Sequence, residues 1–293
     1  MSSVRDRALQ SRTLNWAANY VTPRNIGGVL GHDAMAATVE VLWKRQLQRQ
    51  DLTAVLADYF TGTGATVIDV GASWGLFSYH LSRRVGKRGH VISYEPHPVN
   101  RAVLQKLARA KSYVTYRQSA VSDADGSAEL QVPRSHSRLV AAQSSLAHGF
   151  SGVPVEAVSV RTVTLDDEVG SEPRIDFIKI DVEGHEQAVL RGGASVLRRH
   201  LPPMLIEIEQ RHLEVPVSDV LCQLEDIGYR VFYIDGPALR PVEEFDVQRD
   251  QLSKIAVDGF VPFGMPEDYV CNFCAVRDPE LLAGLALSRG TSG

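Results

Sequence analysis

Thr66-Val-Ile-Asp-Val-Gly-Ala-Ser-Trp-Gly75 decides the fold. Its first five residues are a β-branched run bounded by turn residues, and they read as a strand. Gly71 to Gly75 form a glycine loop. Leu76, Phe77, Leu81 and Arg84 then mark a helix, closed by Gly86 and Gly89. Ligands of open α/β sheets sit at such loops, outside the carboxyl ends of the strands. Gly71-x-Ser73-x-Gly75 also matches the nucleophile elbow letter for letter. That alternative, a hydrolase using Ser73, needs several earlier strands and an oxyanion loop, whereas residues 1–60 read as helical. A dinucleotide fingerprint begun at Gly71 fails at Ser73 and Leu76, two of its three glycine positions.

Downstream, strand and helix alternate. His90-Val-Ile-Ser-Tyr-Glu95 is the second strand, and Glu95 closes it 24 residues beyond Gly71. A carboxylate there can accept two hydrogen bonds from a ribose diol. Pro98 to Ala110 is a helix with Val103, Leu104 and Leu107 inward, and Tyr113 to Tyr116 is the third strand. Residues 127–132 and 155–165 alternate apolar and polar and read as strands, with a loop over 133–154. Ile175 to Asp181 is a further strand, followed by a helix interrupted at Gly192 and Gly193. Met204 to Glu209 is a strand introduced by Pro202-Pro203. A helix near 217–227 and strands near 229–234 and 269–276 complete the pattern. Such alternation predicts a mainly parallel sheet with helices on both faces. Ahead of it, apolar residues from Met35 to Phe60 recur at helical spacing. Residues 1–64 are therefore expected to be an N-terminal helical cap, serving packing or homodimerisation, or acting as a lid over substrate.

Composition sets the class. The 293 residues are 44% hydrophobic and 23% charged, close to the globular average. A net charge of −4 argues against nucleic acid as a partner. No stretch approaches 18 apolar residues, so no membrane span is expected. The first residues lack the apolar core of a signal peptide, so the expected location is cytoplasmic. Three cysteines cannot build a disulfide framework. Cys271-x-x-Cys274 lies in a predicted strand, where residues three apart face opposite ways, and zinc needs four ligands.

The most distinctive segment is Asp176-Phe-Ile-Lys-Ile-Asp-Val-Glu-Gly-His-Glu186. On a strand, Phe177, Lys179 and Asp181 share one face, and Asp181 reaches the carboxyl end. Glu183, His185 and Glu186 follow in the turn. Acids there also suit the positive end of a helix, so capping is an alternative role for Glu183 and Glu186.

The first loop, with Asp69 two residues before Gly71, resembles the S-adenosylmethionine loop of class I methyltransferases. The chain as a whole resembles the FkbM-type methyltransferases. The resemblance rests on Asp176 to Glu186 with Val189-Leu-Arg-Gly-Gly193. It rests also on Ala120-Val-Ser-Asp123 with Gly126, Thr164-Leu-Asp-Asp167, Leu201 to Glu207 and Asn272-Phe273, and covers residues 65–276. It implies an α/β, Rossmann-like fold with a seven-stranded sheet. It also implies a methyltransferase domain over 65–280, a C-terminal tail over 281–293, and S-adenosyl-L-methionine as cofactor. The implied donor-binding residues are Asp69, Gly71, Ala72, Ser73, Gly75, Glu95, Pro96, Ser119, Ala120 and Asp181. The implied activity is O-methylation of a sugar or secondary metabolite, so the partner would be a small-molecule hydroxyl acceptor of sugar or polyketide class. A catalytically inactive, methyltransferase-like binding subunit is the non-enzymatic alternative.

Alcohols are poor nucleophiles until the proton leaves, so a base or a metal is needed. Asp181, Glu183 and His185 are the catalytic candidates, with His212 as a competing base. Glu207 and Glu209 lie on one face of the strand after Asp181. If the two strands are neighbours, Asp181, Glu207 and Glu209 form an oxygen-rich set suited to Mg2+. Pairing of a glutamate with Lys179 or Arg211 is the alternative.

Overall fold

The computed structural model describes residues 41–44, 46–47, 51–135, 138–139, 145–146, 155–255, 266 and 268–287. Most of the expected cap, residues 1–40, and most of the proline-containing loop before Asp268 lie outside the described residues.

The main sheet begins with β1 (Thr66–Val70), β2 (His90–Tyr94) and β3 (Val114–Arg117). After a second, smaller sheet come β8 (Phe177–Ile180), β9 (Met204–Glu207), β10 (Arg230–Asp235), β11 (Ala238–Pro241) and β12 (Asn272–Val276). Their order is β11-β10-β12-β9-β8-β1-β2-β3. β8, β1, β2, β3 and β9 pair in parallel, and β12 enters antiparallel between β9 and β10. The chain order reverses beside β1, between its neighbours β2 and β8, and this is the topological switch point.

The sheet has eight strands where seven are expected. The eighth is β11, which folds back on β10 through Gly236-Pro237, with Gly236 at φ +53°. The two alternating segments also leave the main sheet. β5 (Gly126–Ser135) and β7 (Val155–Val163) pair antiparallel in a four-stranded sheet of order β4-β7-β5-β6, with β4 (Ala120–Val121) and β6 (Arg138–Leu139) at its edges. The strand expected over 155–165 stops at Val163. There the Thr164 hydroxyl accepts from Asp167 N at 3.1 Å and starts a helix at Leu165.

Burial explains the layers. Ile68 and Val70 of β1 join Ile178, Ile180 and Ile206 in one apolar cluster, while Val67 joins Phe177 and Leu205 in the other. Successive side chains of each strand thus feed opposite faces. Helices α1 (Leu52–Phe60), α2 (Leu76–Val85), α3 (Arg101–Ala110), α4 (Leu165–Val169), α5 (Glu186–Gly192), α6 (Ala194–His200) and α7 (Val217–Ile227) cover them. In α7, Val217, Val220, Leu221, Leu224 and Ile227 are buried at helical spacing, and Gly228 ends the helix at φ +120°. The expected helix break at Gly192-Gly193 separates α5 from α6.

The described part of the cap is helical at 41–44 and 46–47. Trp43 is buried there, stacked on His80 with ring centroids 3.8 Å apart, and His80 in turn bonds Asp58. The expected tail contains a helix, Ala283–Leu287, whose Leu285 is buried in the second cluster. No helix among the described residues is long and apolar enough to cross a membrane.

Candidate active site

Two cavities open at the carboxyl ends of β1, β2 and β8. The larger, about 580 Å3, is walled by Val70, Gly71, Ser73, Glu95, Ser119 and Asp181, among others. Pro96, Ala120, Glu183 and His185 also line it.

The first loop is shaped by close approach. Gly71 and Ala72 donate backbone N–H groups to the Tyr94 carbonyl at 3.0 and 2.9 Å. Gly71 sits at φ +78°, and a Cβ there would fall 1.8 Å from the Asp181 carbonyl oxygen. Glycine therefore lets β1 and β8 end side by side. Ser73, at φ +48°, aims its N–H at Glu95 Oε2 (2.8 Å), and His97 N donates to Oε1 (2.8 Å). The Glu95 carboxylate is thus fixed in the wall with lone pairs to spare. Burial drives its pKa up to about 7, against the pull of the His97 and Ser73 N–H groups.

Three expected donor contacts do not line this cavity: Asp69, Ala72 and Gly75. Asp69 is buried in β1, accepts from Ser78 Oγ at 2.5 Å, and is the register partner of Lys179. Gly75 caps α2 at φ +88°. Conversely, Val121, Leu130, Leu146 and Val182 line the cavity and were not singled out by sequence. Leu130 comes from β5, and no local pattern announces that it reaches this site.

The second cavity is lined by Asp181, Glu183, Gly184, Glu186, Glu207, Glu209 and His212. Asp181 bonds Lys179 Nζ at 2.9 Å, and Lys179 lies 4.8 Å from the Phe77 ring centroid. Burial works against the Lys179 ammonium, but Asp181 and Asp69 hold its pKa above the usual value. Glu209 accepts from Arg211 through both oxygens, at 2.7 and 3.0 Å. His212 Nε2 is 2.9 Å from Glu183 and 3.8 Å from Glu209. Burial raises the Glu183 pKa despite His212, and Glu183 raises that of His212 despite burial. His185 points elsewhere: its Nε2 meets Ser122 Oγ at 2.9 Å, and burial lowers its pKa.

β8 and β9 are neighbours, as the expected carboxylate set required. The three ligand-type side chains that converge are, however, Glu183, Glu209 and His212, within 4.8 Å of one another. Asp181 is engaged by Lys179 instead, and Glu209 by Arg211. Glu186 Oε1 accepts from Gly184 N at 3.0 Å, a capping contact, whereas Glu183 faces His212. Of the cysteines, Cys274 is buried, and burial followed by Glu207 pushes the Cys271 thiol well up, away from the thiolate that zinc or redox chemistry needs. No histidine among the described residues is hydrogen-bonded to Ser73.

A parallel sheet reversing beside β1, with a cavity at that point, is the Rossmann-like arrangement. Residues 64–231 match the methyltransferase FkbM domain, and the chain belongs to that family. A search of curated proteins gives no match. Among solved structures, the chain is similar to a methyltransferase FkbM of Methylobacillus flagellatus, at 17% identity and TM-score 0.42, over 72% of this chain and 44% of that one. It is similar also to an S-adenosylmethionine-dependent O-methyltransferase of Thermotoga maritima, at 15% identity and TM-score 0.39, over 78% of this chain and 64% of that one. An Aeropyrum pernix fibrillarin with natively bound S-adenosyl-L-methionine aligns at 12% identity and TM-score 0.40, over 73% and 67% of the two chains. The chain thus spans less than half of the Methylobacillus protein.

Proposed function

We propose that the protein is an O-methyltransferase acting on a hydroxyl of a sugar or secondary metabolite, with residues 65–280 as its catalytic unit. One observation carries this reading: Asp181 and Glu183 line both cavities. They form the wall between the larger chamber and the acidic one.

The larger cavity suits the donor. Glu95 would accept from the ribose diol, and Gly71, Ser73 and Pro96 would border the ribose and amino-acid portion. Ser119, Ala120 and Leu130 would flank the base. Asp69 would act one step removed, through Lys179. When bound, S-adenosylmethionine supplies a methyl group already activated by its sulfonium centre. The chain adds orientation and a destination for the proton. An acceptor hydroxyl would lose its proton to Asp181 as its oxygen bonds the methyl carbon and the carbon–sulfur bond breaks, S-adenosylhomocysteine leaving as the other product. Glu183, paired with His212, would hold that hydroxyl in line. His185, on the donor side and tied to Ser122, positions the turn.

Glu95 gives the direct test. Each charge-assisted hydrogen bond is worth about 1.5–3 kcal/mol, so losing two costs on the order of 3 kcal/mol, or about 100-fold in affinity. Glu95→Ala is expected to weaken S-adenosylhomocysteine binding by that factor in calorimetry, with the circular dichroism spectrum intact. Unchanged affinity would remove the donor assignment. Because Glu95 titrates near pH 7 in the free protein, donor affinity should rise about tenfold between pH 6 and pH 8 as the carboxylate ionises. A flat profile would mean that the carboxylate does not receive the diol.

A further inference from the structure

The geometry points to a divalent-cation site in the second cavity, with Glu183, Glu209 and His212 as its protein ligands. One ligand atom from each lies within 4.8 Å of the other two. Bonds of about 2.1 Å at right angles put neighbouring ligand atoms about 3 Å apart. His212 Nε2 stands 2.9 Å from Glu183 Oε2 and 3.8 Å from Glu209 Oε1, so small side-chain adjustments bring all three onto one ion. The backbone is already fixed for this. Gly184, at φ +100°, approaches His212 so closely that a Cβ would lie 2.2 Å from its carbonyl oxygen. The Ser145 hydroxyl donates to the Glu183 carbonyl.

A second observation, outside the trio, points to a missing ligand. Glu186 is 1% exposed, lines the same cavity, and its Oε2 has no hydrogen-bond partner among the described residues. Buried carboxylate oxygens are rarely left so, because an unmet acceptor costs its full desolvation. A cation held among these side chains would offset the unmet acceptor. Charge points the same way. Asp181, Glu183, Glu186, Glu207 and Glu209 line the cavity, and the cations facing them are Lys179 on Asp181 and Arg211 on Glu209. Arg211 spans the outer edge of the Glu209 carboxylate, and Oε1 still faces His212.

The trio shares only Glu209 with the set expected from strand alternation. It also changes the preferred ion. Carboxylates alone suit Mg2+, whereas an imidazole ligand favours a first-row transition ion such as Mn2+. The site stands on its own donor set. Its part in holding the acceptor hydroxyl rests on the proposed function.

Mn2+ titration of the EDTA-treated full-length protein, followed by electron paramagnetic resonance, tests it. One saturable Mn2+ per chain is expected, displaced by Mg2+ only at tenfold or greater excess. Glu183→Gln and His212→Ala should each weaken Mn2+ at least tenfold while melting in EDTA stays cooperative. If His212→Ala does not fold, Glu183→Gln decides. No saturable binding up to ~1 mM overturns the site, as does equal affinity for Mg2+, which would exclude the imidazole. S-adenosylhomocysteine binding, measured in parallel, separates the two readings. Mn2+ binding without analogue binding sinks the donor assignment and keeps the site; the reverse sinks the site alone.

Discussion

Gly71→Ala is expected to lower the melting temperature by roughly 10 °C and to abolish donor binding. Two costs add. Alanine at φ +78° occupies the left-handed region, worth about 1–2 kcal/mol. Its methyl would also lie 1.8 Å from the Asp181 carbonyl oxygen and 2.8 Å from the carbonyl carbon. Both are backbone atoms, so no side-chain rotation relieves the clash, and the ends of β1 and β8 must part. Together these amount to about 3 kcal/mol or more, and each kcal/mol lowers Tm by about 2–4 °C in a domain of this size. Gly236→Ala is the control. Gly236 has φ +53° with nothing within 4 Å of its added Cβ, so it measures the backbone cost alone. Equal destabilisation by the two variants would mean that the contact between strand ends yields easily, and that the cavity is not built on it.

That contact also shows why part of the site can be read in sequence. Gly71, Ser73 and Glu95 follow their strands by fixed offsets, so strand direction alone brings them to one end of the sheet. Asp181 is placed the same way by β8. The reading weakens where a regular element stops. Alternation put Glu207 and Glu209 on one face, but β9 ends at Glu207. Beyond it the chain turns, and Arg211 and His212 compete for Glu209. Strand periodicity has no purchase on such a turn. Leu130 illustrates a different limit. Its alternation in β5 is correct, but which sheet it joins depends on partners found only in the fold, here β7. The β10–β11 hairpin is not foreseen from sequence, because its second strand is four residues ending in proline, too short to register as a period.

Asp181→Asn is expected to reduce kcat about 1000-fold while S-adenosylhomocysteine affinity stays within threefold. The magnitude is that of general acid–base catalysis, about 100- to 10,000-fold. The substitution keeps the shape and a hydrogen-bond acceptor for Lys179 but removes the negative charge that takes the proton. Lys179 is buried and loses one of three carboxylates that hold its charge, so some stability goes with it. Asp69, its register partner on β1, remains to hold the ammonium. The kinetic signature separates the two effects. A structural loss would lower the fraction of active enzyme and leave the pH profile of the remainder unchanged. Loss of the base would lower kcat in every folded molecule. Turnover within tenfold of the parent would take Asp181 out of the proton transfer and leave Glu183 with His212 as the base.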